Sequence, residues 1–218
     1  VVTLTQIIRP NAPVMYGAFA SNVDMQTGSP ALGTPEYSKM ALASSQIARY
    51  LGLPFRSSNT TTSNAVDAQA AYEGGMSLWS TILGHTNLLN HAAGWLEGGL
   101  TASFEKLIVD AEMLQMMAST ISPININGEE LALDSIADVP PGGHHFGTAL
   151  TLERFEHAFY KPIISNTQNY ESWTESGSIE SAQRANKIWK KLLSEYEKPI
   201  IDISVEEALT DYVNKRKR

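Results

Sequence analysis

The chain has 218 residues, no cysteine and a formal net charge of −7 at pH 7, and 43% of its residues are hydrophobic. This composition predicts a folded protein with a large apolar core, and it excludes disulfides and cysteine-based metal or catalytic sites. The negative charge disfavours nucleic acid as a partner. Because no apolar stretch reaches the roughly 18 residues that cross a bilayer, we also expect no membrane partner. The absence of cysteine fits a reducing cytoplasm, so a cytoplasmic location is expected.

Strand-like and helix-like segments alternate three times in residues 1–122, which predicts an α/β fold with a parallel sheet. The uncharged run at 12–21 is typical of a strand that is buried on both faces. Thr34, Pro35 and Gly52 are suited to begin and end a helix. The first ten residues read as the end of an amphipathic helix, so we expect the chain to begin inside a larger fold. The predicted strands cover 12–21, 53–58 and 87–95, and the predicted helices cover 34–52, 67–84 and 103–120.

Residues 123–218 lack this alternation, and they are predicted to form a helical region that packs on the first part. An amphipathic helix is predicted at 180–198. Ser204 and Glu207 have the spacing of a capping box and predict the start of the last helix. The buried stripe of the amphipathic helix is expected to contain Ile188, Trp189, Leu192, Leu193 and Tyr196.

Polar and aromatic side chains follow each of the three predicted strands. Because the carboxyl ends of parallel strands meet at one edge, these residues should form a common rim. Structural roles stay open as well: a helix-dipole contact for Glu97, a core position for Trp95 and a carbonyl hydrogen bond for His91. Arg56 could likewise form an ion pair with a nearby aspartate. Because polar and aromatic residues follow all three predicted strands, a binding site is favoured over separate structural roles. The candidates are Tyr16, Ser21, Asn22, Asp24, Arg56, Ser57, Asn59, His91, Trp95 and Glu97.

A loop rich in proline and glycine at 140–148 carries two adjacent histidines, His144 and His145. No metal site is predicted, because cysteine is absent and no carboxylates lie at helical spacing from this pair. We expect instead a flap that carries the two imidazoles over the rim. Walker, GxGxxG, GxSxG and HExxH patterns are absent, which removes the usual nucleotide-binding and hydrolase interpretations.

Four long segments of the chain are distinctive, among them the strings NHAAGWLEGGL and GGHHFGTALTLERF. The segments are 21–40, 56–75, 90–114 and 142–160. With them, the chain resembles the trimethylamine methyltransferase family, in particular its members that use glycine betaine or other quaternary amines. The resemblance covers nearly the whole chain and about the C-terminal half of the family's usual length.

This resemblance implies a TIM barrel, of which the chain would hold the C-terminal portion plus C-terminal helices. It also implies that the rim meets a corrinoid protein, and that a methyl group passes from the amine to the cobalt(I) of that partner. The corrinoid would belong to the partner, with no cofactor bound tightly by this chain. Trimethylamine enzymes of the family carry pyrrolysine, which this sequence lacks. A quaternary amine is therefore favoured over a tertiary one.

A quaternary ammonium needs no general acid, because its leaving group is already a neutral amine, so the protein must supply orientation and electrostatic fit. Aromatic faces and a carboxylate bind such cations. From their strand-end positions, Trp95 and Tyr16 are the aromatic candidates. The carboxylate candidates are Glu97, Glu73 and Asp24. A betaine carboxylate would need donors, for which the candidates are Arg56, His91, Asn22 and the backbone around Gly94.

Three strand–helix units cannot close an eight-stranded barrel, and an open sheet leaves unpaired edges and an apolar face in water. We therefore expect a homo-oligomer, unless the C-terminal helices fold across that face. The predicted function is methyl transfer from a quaternary amine to a corrinoid protein. The alternative is a non-catalytic barrel fragment that binds quaternary ammonium ligands or a partner protein. A third possibility is an unrelated TIM-barrel lyase with His91 or Glu97 as its base.

Overall fold

The structure, a computed structural model, describes residues 1–17 and 19–217. Strands and helices alternate in its first part, and helices follow in its second part. The strands are β1 (Tyr16–Gly17), β2 (Asn22–Val23), β3 (Pro30–Ala31), β4 (Phe55–Ser58), β5 (Leu88–Asn90), β6 (Trp95–Leu96) and β7 (Thr101–Ala102). The helices are α1 (Val2–Ile8), α2 (Pro35–Tyr50), α3 (Ala68–Leu83), α4 (Phe104–Ile121), α5 (Gly128–Leu131), α6 (Leu133–Ala137), α7 (Ala149–Arg154), α8 (Tyr170–Glu175), α9 (Ser181–Ser194) and α10 (Ile203–Arg216). In this described part, no helix is both long and apolar enough to span a bilayer.

Three strands form a parallel sheet in the order β1–β4–β5. Tyr16 pairs with Phe55 across the first ladder, and Arg56 pairs with Leu88 across the second. The other strands form two antiparallel hairpins, β2–β3 and β6–β7. The predicted α/β class and the parallel direction of the three strands are therefore confirmed. The described strands make one open sheet and two hairpins, and no closed barrel is found among them.

Two predicted strands are longer than the observed ones. The first was predicted to be buried on both faces, but Gly17 is exposed, because it lies on the face of the sheet that is open to solvent near Arg56 and Leu88. The third was predicted to reach Trp95, but it ends at Asn90. His91 then takes a φ of 50°, a left-handed conformation that an extended strand excludes. Trp95 belongs instead to the β6–β7 hairpin.

The three long helices of the first part begin as their sequences predict. Thr34, Asp67 and Ser103 each accept a hydrogen bond from the backbone of the first turn of α2, α3 and α4. Such caps satisfy N–H groups that have no partner inside the helix. Pro35 is the first residue of α2, and Gly52 follows its end with a φ of 64°. These helices fix the direction in which the strand ends point.

The two faces of the sheet have different neighbours. Phe55 and Ser57 are buried, and β4 contacts both α2 and α3. Arg56 lies between Phe55 and Ser57 along the strand, so its side chain points to the opposite face of the sheet. A Cβ on Gly17 would lie 2.4 Å from Arg56 Nε, which places these two residues on the same face. Leu88, the neighbour of Arg56 on β5, is 44% exposed, so this second face is open to solvent.

The C-terminal helices are attached to the first part through α4 and α9. A small core forms there around Ile108, Ile164 and Ala185. Phe104 of α4 stacks on Trp189 of α9 with ring centroids 4.9 Å apart. The contact involves residues 104–109 of α4 and residues 185–189 of α9.

Two predictions for this region are wrong in detail. Ile188 and Trp189 are partly buried against the core as predicted. The rest of the predicted stripe is exposed, at 56%, 56% and 66% for Leu192, Leu193 and Tyr196, because they lie past the turn that reaches α4. The last helix is capped by Asp202, whose side chain accepts the N–H of Ser204, and not by Ser204 itself.

Candidate functional site

Two loops lie side by side at the carboxyl end of the sheet, one after β4 and one between β5 and β6. Thr61 Oγ1 donates a hydrogen bond to the Trp95 carbonyl at 2.8 Å. The Glu97 N–H donates to the Ser63 carbonyl at 2.9 Å. Because of these bonds, the segments that follow two of the strands form one continuous rim.

Aromatic rings line this rim. The ring centroids of Phe19 and His91 are 6.0 Å apart, and those of His91 and Trp95 are 5.6 Å apart, edge to face. Phe19 is 46% exposed, His91 is exposed and Trp95 is half-buried. We call these three residues the aromatic rim. Tyr37 lies behind them, with its hydroxyl donating to the Ser58 carbonyl at 2.9 Å, and burial raises its pKa.

The His91 imidazole is held by a hydroxyl rather than by a carbonyl. Its Nδ1 lies 3.2 Å from Ser58 Oγ, which in turn lies 3.0 Å from Thr60 Oγ1. This contact uses one ring nitrogen, while the exposed side of the ring faces solvent. His91 can therefore contact a ligand at the rim without losing its support.

Arg56 and Tyr16, two predicted site residues, lie on opposite faces of the sheet. Tyr16 contacts Phe55 with ring centroids 5.9 Å apart, on the face that the helices cover. Arg56 is half-buried on the open face, whereas Ser58, the next residue of that face along β4, is buried beneath the rim. The structure therefore separates Tyr16 from Arg56. Ser58 shares the face of Arg56, and its hydroxyl contacts the His91 ring.

The predicted ion pairs of Arg56 are not formed within residues 1–17 and 19–217. Asp67 caps α3 by accepting the N–H of Ala70 at 3.0 Å. Asp24 accepts hydrogen bonds from the Thr27 hydroxyl and from two backbone N–H groups of its own turn, which lower its pKa. Both carboxylates are therefore used by local structure.

Asn22 and Asp24 lie in and next to the exposed β2–β3 hairpin. Asn22 Oδ1 accepts a hydrogen bond from Thr34 Oγ1 at 3.1 Å, so it supports the start of α2. Neither side chain forms a hydrogen bond or ring contact with the aromatic rim in the described part of the chain. Their contacts are those of a turn that adjoins the rim.

Glu73 and Glu97 differ strongly in availability. Glu73 is buried on α3, and its Oε2 accepts the N–H groups of Thr62 and Ser63 at 2.8 and 2.9 Å. Its other oxygen accepts from Gln69. Glu97 is exposed two residues after Trp95 and accepts a hydrogen bond from Thr101 Oγ1. Glu97 is thus the predicted carboxylate that can still reach a ligand, whereas Glu73 holds a rim loop.

His144 and His145 are exposed in their loop. The His144 ring contacts Phe146, with centroids 5.4 Å apart. Within residues 1–17 and 19–217, no ring contact joins them to the aromatic rim, and no group of three His, Asp or Glu side chains has the arrangement of a metal site. Their role as a flap over the rim stays a prediction.

A buried polar cluster lies behind the rim. Lys106 and Asp110 of α4 are fully buried and form an ion pair. Asp110 Oδ2 accepts the N–H of Gly94 at 2.9 Å, and Asn59 Nδ2 donates to the Ala92 carbonyl at 2.9 Å. Burial raises the pKa of Asp110, and the Lys106 ammonium opposes that rise. We call Asn59, Lys106 and Asp110 the buried anchor.

A family model for trimethylamine methyltransferase matches residues 1–218. The chain belongs to the trimethylamine methyltransferase family. A glycine betaine methyltransferase from Desulfitobacterium hafniense (strain Y51) is 34% identical over 216 residues, which are 99% of this chain and 45% of that protein. Trimethylamine methyltransferase MttB2 of Methanosarcina mazei is 27% identical over 218 residues, 100% of this chain and 44% of that protein. For the Methanosarcina thermophila MttB, identity is 26% over 205 residues, 94% of this chain and 42% of that protein.

The family resemblance read from the sequence is thereby confirmed. The chain spans less than half the length of these curated relatives. Within this segment of a trimethylamine methyltransferase family member, the structure adds Phe19 and the Lys106–Asp110 pair to the predicted site. Phe19 could have been found from its place just before the polar residues that follow the first strand. The Lys106–Asp110 pair has the spacing of an ordinary exposed pair on a helix, so its sequence gives no sign of burial.

Proposed function

We propose that this segment binds the trimethylammonium group of glycine betaine or a related quaternary amine, and that one methyl group then passes to a corrinoid protein. The aromatic rim is the observation that carries the proposal. It places exposed rings where a cationic ligand can reach them. Family membership and the glycine betaine methyltransferase among the relatives support the same substrate class.

Phe19 and Trp95 would contact the methyl groups of the cation through their ring faces. Each such contact contributes about 0.5–2 kcal/mol. Glu97 would supply the negative charge, since its carboxylate is exposed next to the hairpin that contains Trp95. Because a neutral amine leaves, the chain's residues need to orient the ligand and exclude water rather than donate a proton.

Arg56 would recognise the carboxylate of a betaine. Its guanidinium lies on the open face of the sheet, and Asp24 and Asp67 are engaged elsewhere. Guanidinium groups bind carboxylates through paired hydrogen bonds. This role would separate glycine betaine from choline, which carries the same cation without a carboxylate.

The corrinoid in this proposal is a reactant that a partner protein delivers, so no residue of this chain has to hold it. The exposure of Phe19 and His91 fits a rim that a partner approaches from solvent. When present, its cobalt(I) would accept the methyl group. The residues of this chain would keep the ammonium aligned with the open side of the rim.

The proposed assembly is a TIM barrel completed outside this segment, with a homo-oligomer in solution. In the described sheet, β1 and β5 each have a neighbour on one side, and Leu88 is exposed on the open face. Covering these edges and this face would remove unpaired backbone groups and apolar surface from water. A stable monomer by light scattering at micromolar concentration would contradict the oligomer.

The proposal is tested by titrating the protein with glycine betaine, choline and 3,3-dimethylbutanoate, an isostere of glycine betaine in which an uncharged carbon replaces the quaternary nitrogen. We expect glycine betaine to bind more tightly than both analogues. Trp95→Leu and Phe19→Leu should each weaken binding by about threefold or more, while Trp79→Leu, on the exposed side of α3, should not. Equal affinity for glycine betaine and 3,3-dimethylbutanoate would contradict recognition of the cation.

Methyl transfer is tested separately by mixing the protein with cob(I)alamin and each amine and recording the methyl-cobalt absorption spectrum. We expect that spectrum with glycine betaine if this segment is sufficient for the reaction. Binding without transfer would favour the alternative, a fragment that binds quaternary ammonium ligands without catalysing. That alternative is supported by the chain's spanning 45% of its glycine betaine methyltransferase relative.

A further inference from the structure

The buried anchor surrounds the short turn that separates His91 from Trp95. Gly94 in this turn has a φ of 91° and donates its N–H to Asp110 Oδ2 at 2.9 Å. Its carbonyl accepts the N–H of Ser103 at 2.9 Å, at the start of α4. Both backbone polar groups of Gly94, its N–H and its carbonyl, are therefore bound by residues of α4 or its N-cap.

Asn59 fixes the same turn from the other side. Its side chain is fully buried and donates to the carbonyl of Ala92. Asn59 Oδ1 has no hydrogen-bond partner among the residues that the structure describes, and it would lie 3.4 Å from a Cβ on Gly74. Asp110 Oδ1 would lie 3.6 Å from that same Cβ, so the two side chains meet next to α3.

A buried ion pair by itself adds little to the free energy of unfolding. Removing both charges from water costs free energy that their attraction repays only partly, and apolar replacements of similar size are often as stable. The pair on α4 has a second contact that an apolar pair would lack. Asp110 uses its remaining oxygen to hold the backbone of Gly94.

We propose that Asp110, held in place by Lys106, is a positioning residue that sets the separation and orientation of His91 and Trp95 on the aromatic rim. The inference rests on the proposed function, because the aromatic rim has a ligand to orient if that function holds. Lys106 fixes one carboxylate oxygen, so the other points at a single backbone group.

Glu112 provides a matched control on the same helix. It is buried two residues after Asp110, and its carboxylate also accepts backbone N–H groups, those of Ile163 and Ile164. These belong to the C-terminal region and not to the rim. Loss of Glu112 should therefore destabilise the protein without moving Trp95.

The test uses the full chain labelled with 5-fluorotryptophan, with the ¹⁹F signal of Trp95 assigned from Trp95→Phe. Lys106→Met/Asp110→Ala removes the acceptor of the Gly94 N–H. We expect it to shift or split the Trp95 signal and to weaken glycine betaine binding about tenfold or more. Lys106→Met/Asp110→Asn keeps an acceptor without charge, and it should restore both the signal and the affinity. Glu112→Ala should leave the Trp95 signal in place.

An unchanged Trp95 signal in the alanine double variant, or an equal shift in Glu112→Ala, would overturn the inference. If the alanine variant does not fold, hydrogen exchange of the Gly94 amide in the unaltered protein decides the matter. We expect the Gly94 amide to exchange as slowly as amides in the centre of α4. Exchange as fast as that of the His85 amide would show that the buried anchor does not hold the turn. Should glycine betaine fail to bind the unaltered protein, the proposed function fails, while the fluorine and exchange data still test the positioning.

Discussion

Residues 16–122 and residues 123–217 bury polar groups in different ways. In the first part, fully or nearly buried side chains of α3 and α4 hold the backbone of the rim loops, as Glu73 does at Thr62 and Asp110 does at Gly94. In the second part, the described residues between 123 and 162 include none that is buried. That part is joined to α4 through α9, around Ile164, Ala185 and Trp189.

This difference indicates where a ligand can be oriented. Loops whose backbone is fixed by buried groups keep their side chains in place, whereas segments with few buried contacts open at low free-energy cost. The aromatic rim lies on the first kind of structure, and the loop with His144 and His145 lies on the second. We therefore expect the rim to determine affinity and the C-terminal region to unfold first.

The largest effect should follow removal of the carboxylate that holds the loop after β4. Glu73→Ala leaves the N–H groups of Thr62 and Ser63 without their acceptor in a buried place. We expect a loss of about 2–4 kcal/mol in the free energy of unfolding, measured by urea denaturation. A loss below that of an exposed substitution such as Lys39→Ala would contradict the role of Glu73.

A smaller loss is expected from the corresponding change in the second part. Glu112→Ala removes the acceptor of Ile163 and Ile164 and the partner of the Tyr160 hydroxyl. We expect about 1–3 kcal/mol, with faster amide exchange in residues 160–165 and in α9. If amide exchange around Gly94 became faster by the same factor, the two parts would not unfold independently of each other.

Acid should loosen the second part before the rim. Hydrogen bonds from Asn186 and then Trp189 lower the pKa of Glu105 to about 2. Because the pKa of Glu105 is depressed in the folded protein, this stabilising contribution is complete above the ordinary glutamate pKa of 4.5 and is lost as pH falls toward 2. Glu105→Gln should weaken α9 docking at pH 7 and flatten its acid transition, monitored by the Trp189 indole N–H signal in NMR. An unchanged transition would contradict the assignment.

The smallest effect should come from the ion pairs between α5 and α7. Arg154 contacts Glu129 and Glu130, and both glutamates are exposed. Exposed pairs contribute little because water and salt screen them. Arg154→Ala should leave the urea midpoint unchanged within error, and a shift comparable to that of Glu112→Ala would show that the second part is more cooperative than its packing indicates.

The sequence contains local signals for the alternation of strands and helices and for the helix starts. Thr34 and Pro35 predict the start of α2 because capping depends on residues next to each other in the chain. The rim candidates His91, Trp95 and Glu97 follow from strand ends in the same way. Tyr16 was less predictable, since a shift of one residue along a strand moves a side chain to the other face.

The remaining features depend on contacts between distant segments. Lys106 and Asp110 are buried because the turn at Gly94 and the loop at Asn59 close over α4. Leu192, Leu193 and Tyr196 are exposed because α9 meets α4 near its own middle and not along its length. No periodicity within one segment encodes either outcome.

The central claim is that the aromatic rim binds a quaternary ammonium ion. Intermolecular NOEs between the methyl protons of glycine betaine and assigned ring protons test it directly. We predict NOEs to Phe19, His91 and Trp95, with none to Tyr16 on the opposite face of the sheet. NOEs confined to Tyr170 and Trp173 in the C-terminal region, or to Tyr16, would contradict it.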